Sequence, residues 1–511
     1  MWFCGTISSS TNLNGGLTVI CVNNHRQQLP QWRSEPHSSA IAQLAQFRQE
    51  LKNSFTHRPD AIMSLLDSLA SNTAAKSVAE LSLNALFGHQ YSSVYDAIDS
   101  FFTPSSAKMA AAERREKDRQ LMRIITPHLS TPKQHPFWLF CLEVTPVPRP
   151  FAHTLADRTC VYQPNAIASN KPITYGHQYA ALVHLPEKTS LCAPPWVVPL
   201  SVCRIQSTEK ANTVQAQQIN ALLAEPAFAS QLCVTVVDST LSALTFLGAV
   251  KSQPNLVTIA RCRSNRVFYH APQVVKKQQG HPRWYGERFS LKDQTTWTIP
   301  DFVEQATATT RRGRQLTIEI KGWHNLLMRG TRDCPMHQTP FTLMQIVVTD
   351  TCGKLVFTRP MWLIVIGNRR HQLSPKSVWA AYHQRYDVEH FFRFGKQHLL
   401  TTAYQTPDVN HEENWWQMTQ LTHVQLWLAR DLADRLPRPW ERYLPQFNSA
   451  QCASPSLVQR DFGRIIGAIE ANMVLPKPRG KSTGRAKGKH QKQREKQKVI
   501  KKTHKPVQLA A

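Results

Sequence analysis

The 511 residues exceed what one ordinary core organises, so two to four structural units are expected. Lys and Arg outnumber Asp and Glu by 61 to 34, a formal charge of +27 that favours a polyanionic partner, nucleic acid ahead of an acidic membrane surface. No apolar run approaches the roughly 18 residues of a membrane span, and the 11 cysteines include no C-x-x-C pair, which argues against a zinc module or disulfide framework and suits a reducing cytoplasm.

Residues 1–37 read as a poorly ordered N-terminus, without the charged and apolar regions of a secretory signal; a later start is an open alternative. From 38 to 130 apolar residues recur at three- and four-residue steps (Ile41, Leu44, Phe47, Leu51; Leu65, Leu69), predicting an all-α unit that ends in a charged helix over Lys108 to Ile125. This unit is the expected DNA-binding domain, although no helix-turn-helix pattern names its contact residues.

Near residue 136 the texture turns to short β-like runs: Phe137 to Val144, Thr159 to Tyr162, Tyr179 to His184 and Trp196 to Ile205. Ser207 or Thr208 can cap a helix reaching Pro226, and the strand Leu232 to Val237 follows. Strands followed by helix and strand give an α/β order over 136–261. Residues 262–367, rich in turns and β-like pieces (Arg266 to His270, Leu316 to Lys321, Met344 to Thr349, Met361 to Gly367), read as an inserted mainly-β subdomain. Helix returns over 368–475, at Ser374 to Leu400, Asn414 to Leu436 and Ser456 to Asn472. Residues 476–511 are crowded with Lys and Arg around the single acid Glu495, the composition of a disordered basic tail that attracts phosphates without sequence preference.

In the stretch AAYHQRYDVEHFFRFGKQHLL, a continuous helix would bring Tyr382, Arg385, Glu389 and Lys396 within an arc of roughly 60°. Val388, Phe391, Phe392 and Leu399 would fill the adjoining apolar arc. Tyr382 and Lys396 would lie roughly 21 Å apart along the axis, a span suited to a nucleic-acid strand. On spacing alone, a solvated face with an Arg385–Glu389 ion pair explains the stripe equally well.

These four residues match Y-x2-R-x3-E-x6-K, and the segment resembles the signature helix of the Y-R-E-K DDE transposases, the bacterial insertion-sequence-four superfamily. The passages CLEVTPVPRPFAHTLADRTCVYQPN, ITYGHQYAAL, VVDSTLSALTFL and RCRSNRVFY are also similar to blocks of one branch of these proteins, so the resemblance spans about residues 80 to 505. It implies an RNase H-like catalytic core, cleavage and transfer of DNA strands by a two-metal mechanism with Mg2+ (Mn2+ able to substitute), double-stranded element ends and target as substrates, a homodimer on DNA and a cytoplasmic, nucleoid-associated location.

The resemblance assigns catalysis and metal binding to Glu143, Asp238 and Glu389. Such chemistry needs carboxylates converging from separate elements. Asp238 follows a buried-type strand directly, where Ser239 is expected to begin a helix; without the resemblance, an N-cap would be the better reading. The first position departs from the family, which carries Asp where Leu142-Glu143-Val144-Thr145 has Glu. An extra methylene moves the carboxylate by roughly an ångström, and misplacement on that scale can cost about a hundredfold in rate. A catalytically impaired, DNA-binding remnant is therefore the alternative, with a general RNase H-like nuclease third. Asp157 reads as a supporting residue. Tyr382, Arg385 and Lys396 are expected to hold DNA phosphates, and Trp362, in MWLIVIG, resembles a Trp that stacks on a flipped base; the bland reading of Trp362 is a core residue.

Overall fold

A computed structural model describes residues 35–102, 111–162, 172–188, 193–272, 283–310, 313–435, 453–467, 469, 473–478 and 484–501. The expected N-terminus 1–37 lies almost wholly outside the described residues. The chain begins with helices α1 (Glu35–Ser54), α2 (Pro59–Ala70), α3 (Ser92–Asp99) and α4 (Ala111–Ile125). It continues through β1 (Trp138–Pro148), β2 (Thr159–Tyr162), β3 (Ile173–His184), β4 (Val198–Ile205), α5 (Ala211–Leu223), β5 (Cys233–Val237), α6 (Leu244–Val250) and β6 (Leu256–Cys262). Then come β7 (Val267–Tyr269), β8 (Arg288–Ser290), β9 (Phe302–Thr309), β10 (Gln315–Leu326), β11 (Phe341–Asp350) and β12 (Met361–Ile366). Helices α7 (Pro375–Gln384), α8 (Asp387–His398), α9 (Val409–Arg435) and α10 (Pro455–Gly467) follow.

One mixed sheet runs β2-β3-β1-β5-β6-β12-β11-β10-β9, with β4 paired to the far half of β3. Within it, β1, β5 and β6 are parallel, while β3 runs antiparallel to its neighbours β1 and β4, consistent with an RNase H-like core. Every residue of β5 is buried, because helices cover both faces of the sheet's middle and the sequence CVTVV supplies apolar or hydroxyl side chains to each. On one face Leu139, Cys141, Val234 and Val236 pack in a cluster with Val378, Val388, Phe391 and Trp416; on the other, Phe140, Leu142 and Val237 join a cluster with Ile219, Phe228 and Phe246.

Strand β1 pairs with β5 only from Trp138 to Leu142, yet with β3 as far as Pro148. Its prolines therefore fall where the β5 ladder has ended, a position that tolerates a missing N–H. Opposite them, a Cβ at Gly176 would lie 2.1 Å from the Val147 carbonyl oxygen, so only glycine admits this approach of the strands.

The strands within 262–367 join the central sheet: β12 pairs with β6, and β11, β10 and β9 extend it, while β7 and β8 form a separate ribbon. The turn-rich sequence hid this continuity, because strand partners are not encoded locally. The N-terminal helices are likewise integrated, since α1 and α2 pack on α9 and the buried Arg48 binds both Asp67 and Gln425. The described part of the tail lies along the surface, Gln497 donating to the His153 carbonyl and Ile500 to the Arg158 carbonyl beside the β2 edge; just ahead of the tail, Val474 donates to the Ala85 carbonyl.

Two local corrections follow. Helix α5 begins after Lys210, with no side-chain cap from Ser207 or Thr208. Strand β9, FVEQATAT, escaped the sequence reading because its half-buried positions are Phe302, Glu304, Ala306 and Ala308, a weak apolar signal.

Candidate active site

Leu142 on β1 is level with Val237 on β5, so Glu143, still within β1 and paired there with β3, and Asp238, just past the end of β5, are neighbours where the parallel β1–β5 pairing ends. Residues two apart share a face. Glu143 and Asp238 thus lie on the face of Cys141 and Val236, which looks toward α7 and α8.

The expected single helix is interrupted. At Arg385 and Tyr386 the backbone keeps helical angles but bonds three residues back, Arg385 to Tyr382, Tyr386 to His383, Val388 to Arg385 and Glu389 to Tyr386. A tighter turn advances about 120° per residue instead of 100°, and the stripe is redistributed. Upstream, Ser374 accepts from the Ser377 N–H and Pro375 starts α7, a capped entry that fixes its position.

Arg385 turns inward, its Nη1 2.6 Å from Glu143 Oε2 and its Nη2 3.4 Å from Glu389 Oε1. Lys396 also turns inward, donating to Thr145 Oγ1 at 2.9 Å and reaching the Pro146 carbonyl at 3.5 Å. Glu389 stays 54% exposed. Tyr382, expected on the DNA-facing stripe, is instead buried in the core with its hydroxyl beside Arg385, and burial pushes its pKa up to about 12.

Burial also pushes the Glu143 carboxyl up to about 7, against the pull of Arg385 and with Asp238 and Glu389 adding repulsion. Burial opposes the Arg385 charge most strongly, but Glu143, Tyr382, Cys141 and Glu389 together outweigh it and keep the guanidinium protonated. Desolvation lowers the Lys396 pKa. Asp238 accepts from the Thr240 N–H at 3.0 Å, the Thr240 hydroxyl at 2.5 Å and the Leu241 N–H at 3.3 Å, closing a turn of its own. Ser239 does not begin a helix; α6 starts at Leu244.

Trp362 is corrected to a core residue. It is 3% exposed, packed against Trp297 and Trp323 at ring distances of 5.2 and 5.8 Å, because its side of β12 faces the β7–β8 ribbon and its flanking turns. Asp157, at φ 61°, receives Arg204 and the Ser207 N–H, a supporting role for the β4 end.

Sequence reasoning missed a buried charge network beyond the acids. Glu412 on α9 accepts from Arg149 Nε at 3.0 Å and Tyr179 at 3.0 Å and bonds His177 Nδ1 at 2.7 Å. Burial would raise its pKa, but His177 and Arg149 outweigh burial and hold it low. Glu412 lies more than two hundred residues from each of its partners, so no spacing announces them.

DDE nucleases typically use divalent cations held by oxygen ligands. The acids as arranged do not fit one: Glu143 is paired with Arg385, both Asp238 oxygens accept from its own turn, and the half-exposed Glu389 is also reached by Arg385. Among the described residues no three His, Cys, Asp or Glu side chains gather into a metal-holding group.

Neighbouring acids where the parallel β1–β5 pairing ends, faced by a helix that carries a third, lie in a mixed α/β fold consistent with an RNase H-like nuclease. A model of the DDE superfamily endonuclease family matches residues 46–326, more than half of the chain, and the chain belongs to that family. The match contains Glu143 and Asp238 and stops before α8. No curated protein matches the chain. Among the described residues no helix is long and apolar enough to cross a membrane.

Proposed function

We propose that this chain is a transposase of the Y-R-E-K kind, cutting DNA strands at the ends of its own element and joining them to a target. The observation that carries the reading is the adjacency of Glu143, within β1, and Asp238, just past β5, inside the span matched by the endonuclease family. Glu389 is the third acid of the reading, and Mg2+, or Mn2+ in its place, its cofactor. Arg385 and Lys396 fix the β1 end that carries the first acid. The net charge of +27 suits a duplex substrate. Homodimer formation on two element ends belongs to the same reading.

One observation favours a second reading, a DNA-binding protein that no longer cuts: Glu143 is held by Arg385 rather than grouped with two other acids. Both readings are tested by incubating purified protein with its element-end DNA and Mg2+ or Mn2+. The natural chain should nick the DNA, and Asp238→Ala should abolish nicking. Cleavage that survives Asp238→Ala would sink the site assignment, and cleavage by Glu143→Asp alone would establish the second reading.

A further inference from the structure

The strand-cleaving reading requires Glu143 and Glu389 to share a cation, and a cation of the chain itself already touches both. The Arg385 guanidinium spans the gap, with Nη1 on Glu143 and Nη2 on Glu389. It is 9% exposed and lies between the rings of Tyr382 and Tyr386, at 5.9 and 5.2 Å from their centroids. Its Nε, also buried, has no hydrogen-bond partner. A buried N–H left unsatisfied makes this seat less than fully stabilising for the guanidinium. The seat also lies on the two-residue turn between α7 and α8, where bonds three residues back replace the regular helical ladder.

We propose that Arg385 is a resident counter-cation that closes the acid site, and that a divalent cation must displace it from Glu143 to bind. The proposal rests on the strand-cleaving reading and explains why the acids do not fit a metal as they stand. The glutamate at position 143 is what makes the closure possible, because its longer side chain reaches the guanidinium at 2.6 Å while Asp238 remains in its own turn. A guanidinium and a divalent ion on the same carboxylate would place like charges within a few ångströms, so the two states exclude one another.

The test measures binding of Mn2+ alone to the full chain, by electron paramagnetic resonance of the free ion, in the natural protein, Arg385→Met and Arg385→Lys. Arg385→Met should bind Mn2+ at least tenfold more tightly than the natural chain, and adding Asp238→Ala should remove the gain. Should Arg385→Met fail to fold, Arg385→Lys carries the test, since it keeps the charge but cannot span both carboxylates; it should bind several-fold more tightly than the natural chain. Equal affinity in the natural chain and the folded variants overturns the counter-cation and leaves the strand-cleaving reading standing. No binding in any of them overturns both.

Discussion

Glu412 shows how much a single carboxylate can organise. It is buried with three partners drawn from β3 and from just beyond β1, and Arg149 in turn donates to the Tyr404 carbonyl at 2.6 Å, so the network fastens α9 to the strand that carries Glu143. Removing one member of a buried ion pair leaves the other uncompensated, at roughly 3 to 5 kcal/mol. Glu412→Ala should therefore lower unfolding free energy by about that amount in a denaturant titration; a loss under about 1 kcal/mol would refute the network's role. His184 gives a second residue-scale expectation. Its Nδ1 bonds the Leu139 carbonyl at 3.0 Å, its buried Nε2 has no partner, and burial lowers its pKa from 6.5 to about 4. The folded state thus favours the neutral ring, and the associated stability is complete above pH 6.5 and lost as pH falls toward 4. His423, lowered by burial to about 3, acts in the same sense, whereas Asp118, raised by burial to about 6, favours acid and loses stability as pH rises from 3.8. The His184 contribution is isolated by comparison with His184→Asn, which keeps a donor to Leu139 but does not titrate: its melting temperature should fall less between pH 7 and pH 5 than that of the natural chain.

At the scale of elements, β12 separates a packing role from a DNA-contacting one. Trp362 fills a three-tryptophan cluster, and truncating a buried Trp costs roughly 3 to 5 kcal/mol. Trp362→Ala should show that loss in thermal unfolding, while Trp362→Phe, which keeps an aromatic body, should bind duplex DNA like the natural chain; a selective loss of DNA affinity in Trp362→Phe at native stability would restore the stacking role. The same elements show what was legible in the sequence. Strands β1 to β5 announced themselves through apolar runs such as Leu232 to Val237; Asp238 follows such a run directly, but only the family resemblance favoured a site acid over an N-cap there. The helical period placed Tyr382, Arg385, Glu389 and Lys396 on one stripe, but period alone does not reveal a two-residue tightening of the turn, nor that a nearby acid will draw Arg385 inward. The continuity of β12 to β9 with the central sheet was hidden because pairing across a sheet depends on partners distant in the chain.

For the whole molecule, the uneven charge matters most. The described tail from Gly484 to Lys501 is almost wholly exposed, and near its end Gln497 and Ile500 bond to His153 and Arg158 while Arg158 reaches back to the Gln497 carbonyl. A free basic tail and one fastened beside a sheet edge attract phosphates by the same counterion release, but only the fastened one presents its cations at a fixed place. Under the DNA-cutting reading, removing residues 484–511 should weaken duplex binding and flatten its dependence on salt, by about 0.9 in the logarithmic slope for each phosphate that the tail had neutralised. Ile500→Pro removes the N–H donated to Arg158 without changing charge, and Gln497→Pro removes the one donated to His153. If the fastening orients the tail, the double variant should keep a steep salt dependence like that of the natural chain, yet its tail should be cut faster by trypsin and its amides near residue 500 should exchange more rapidly. Unchanged trypsin cleavage and amide exchange in the double variant would show that these two bonds do not hold the tail.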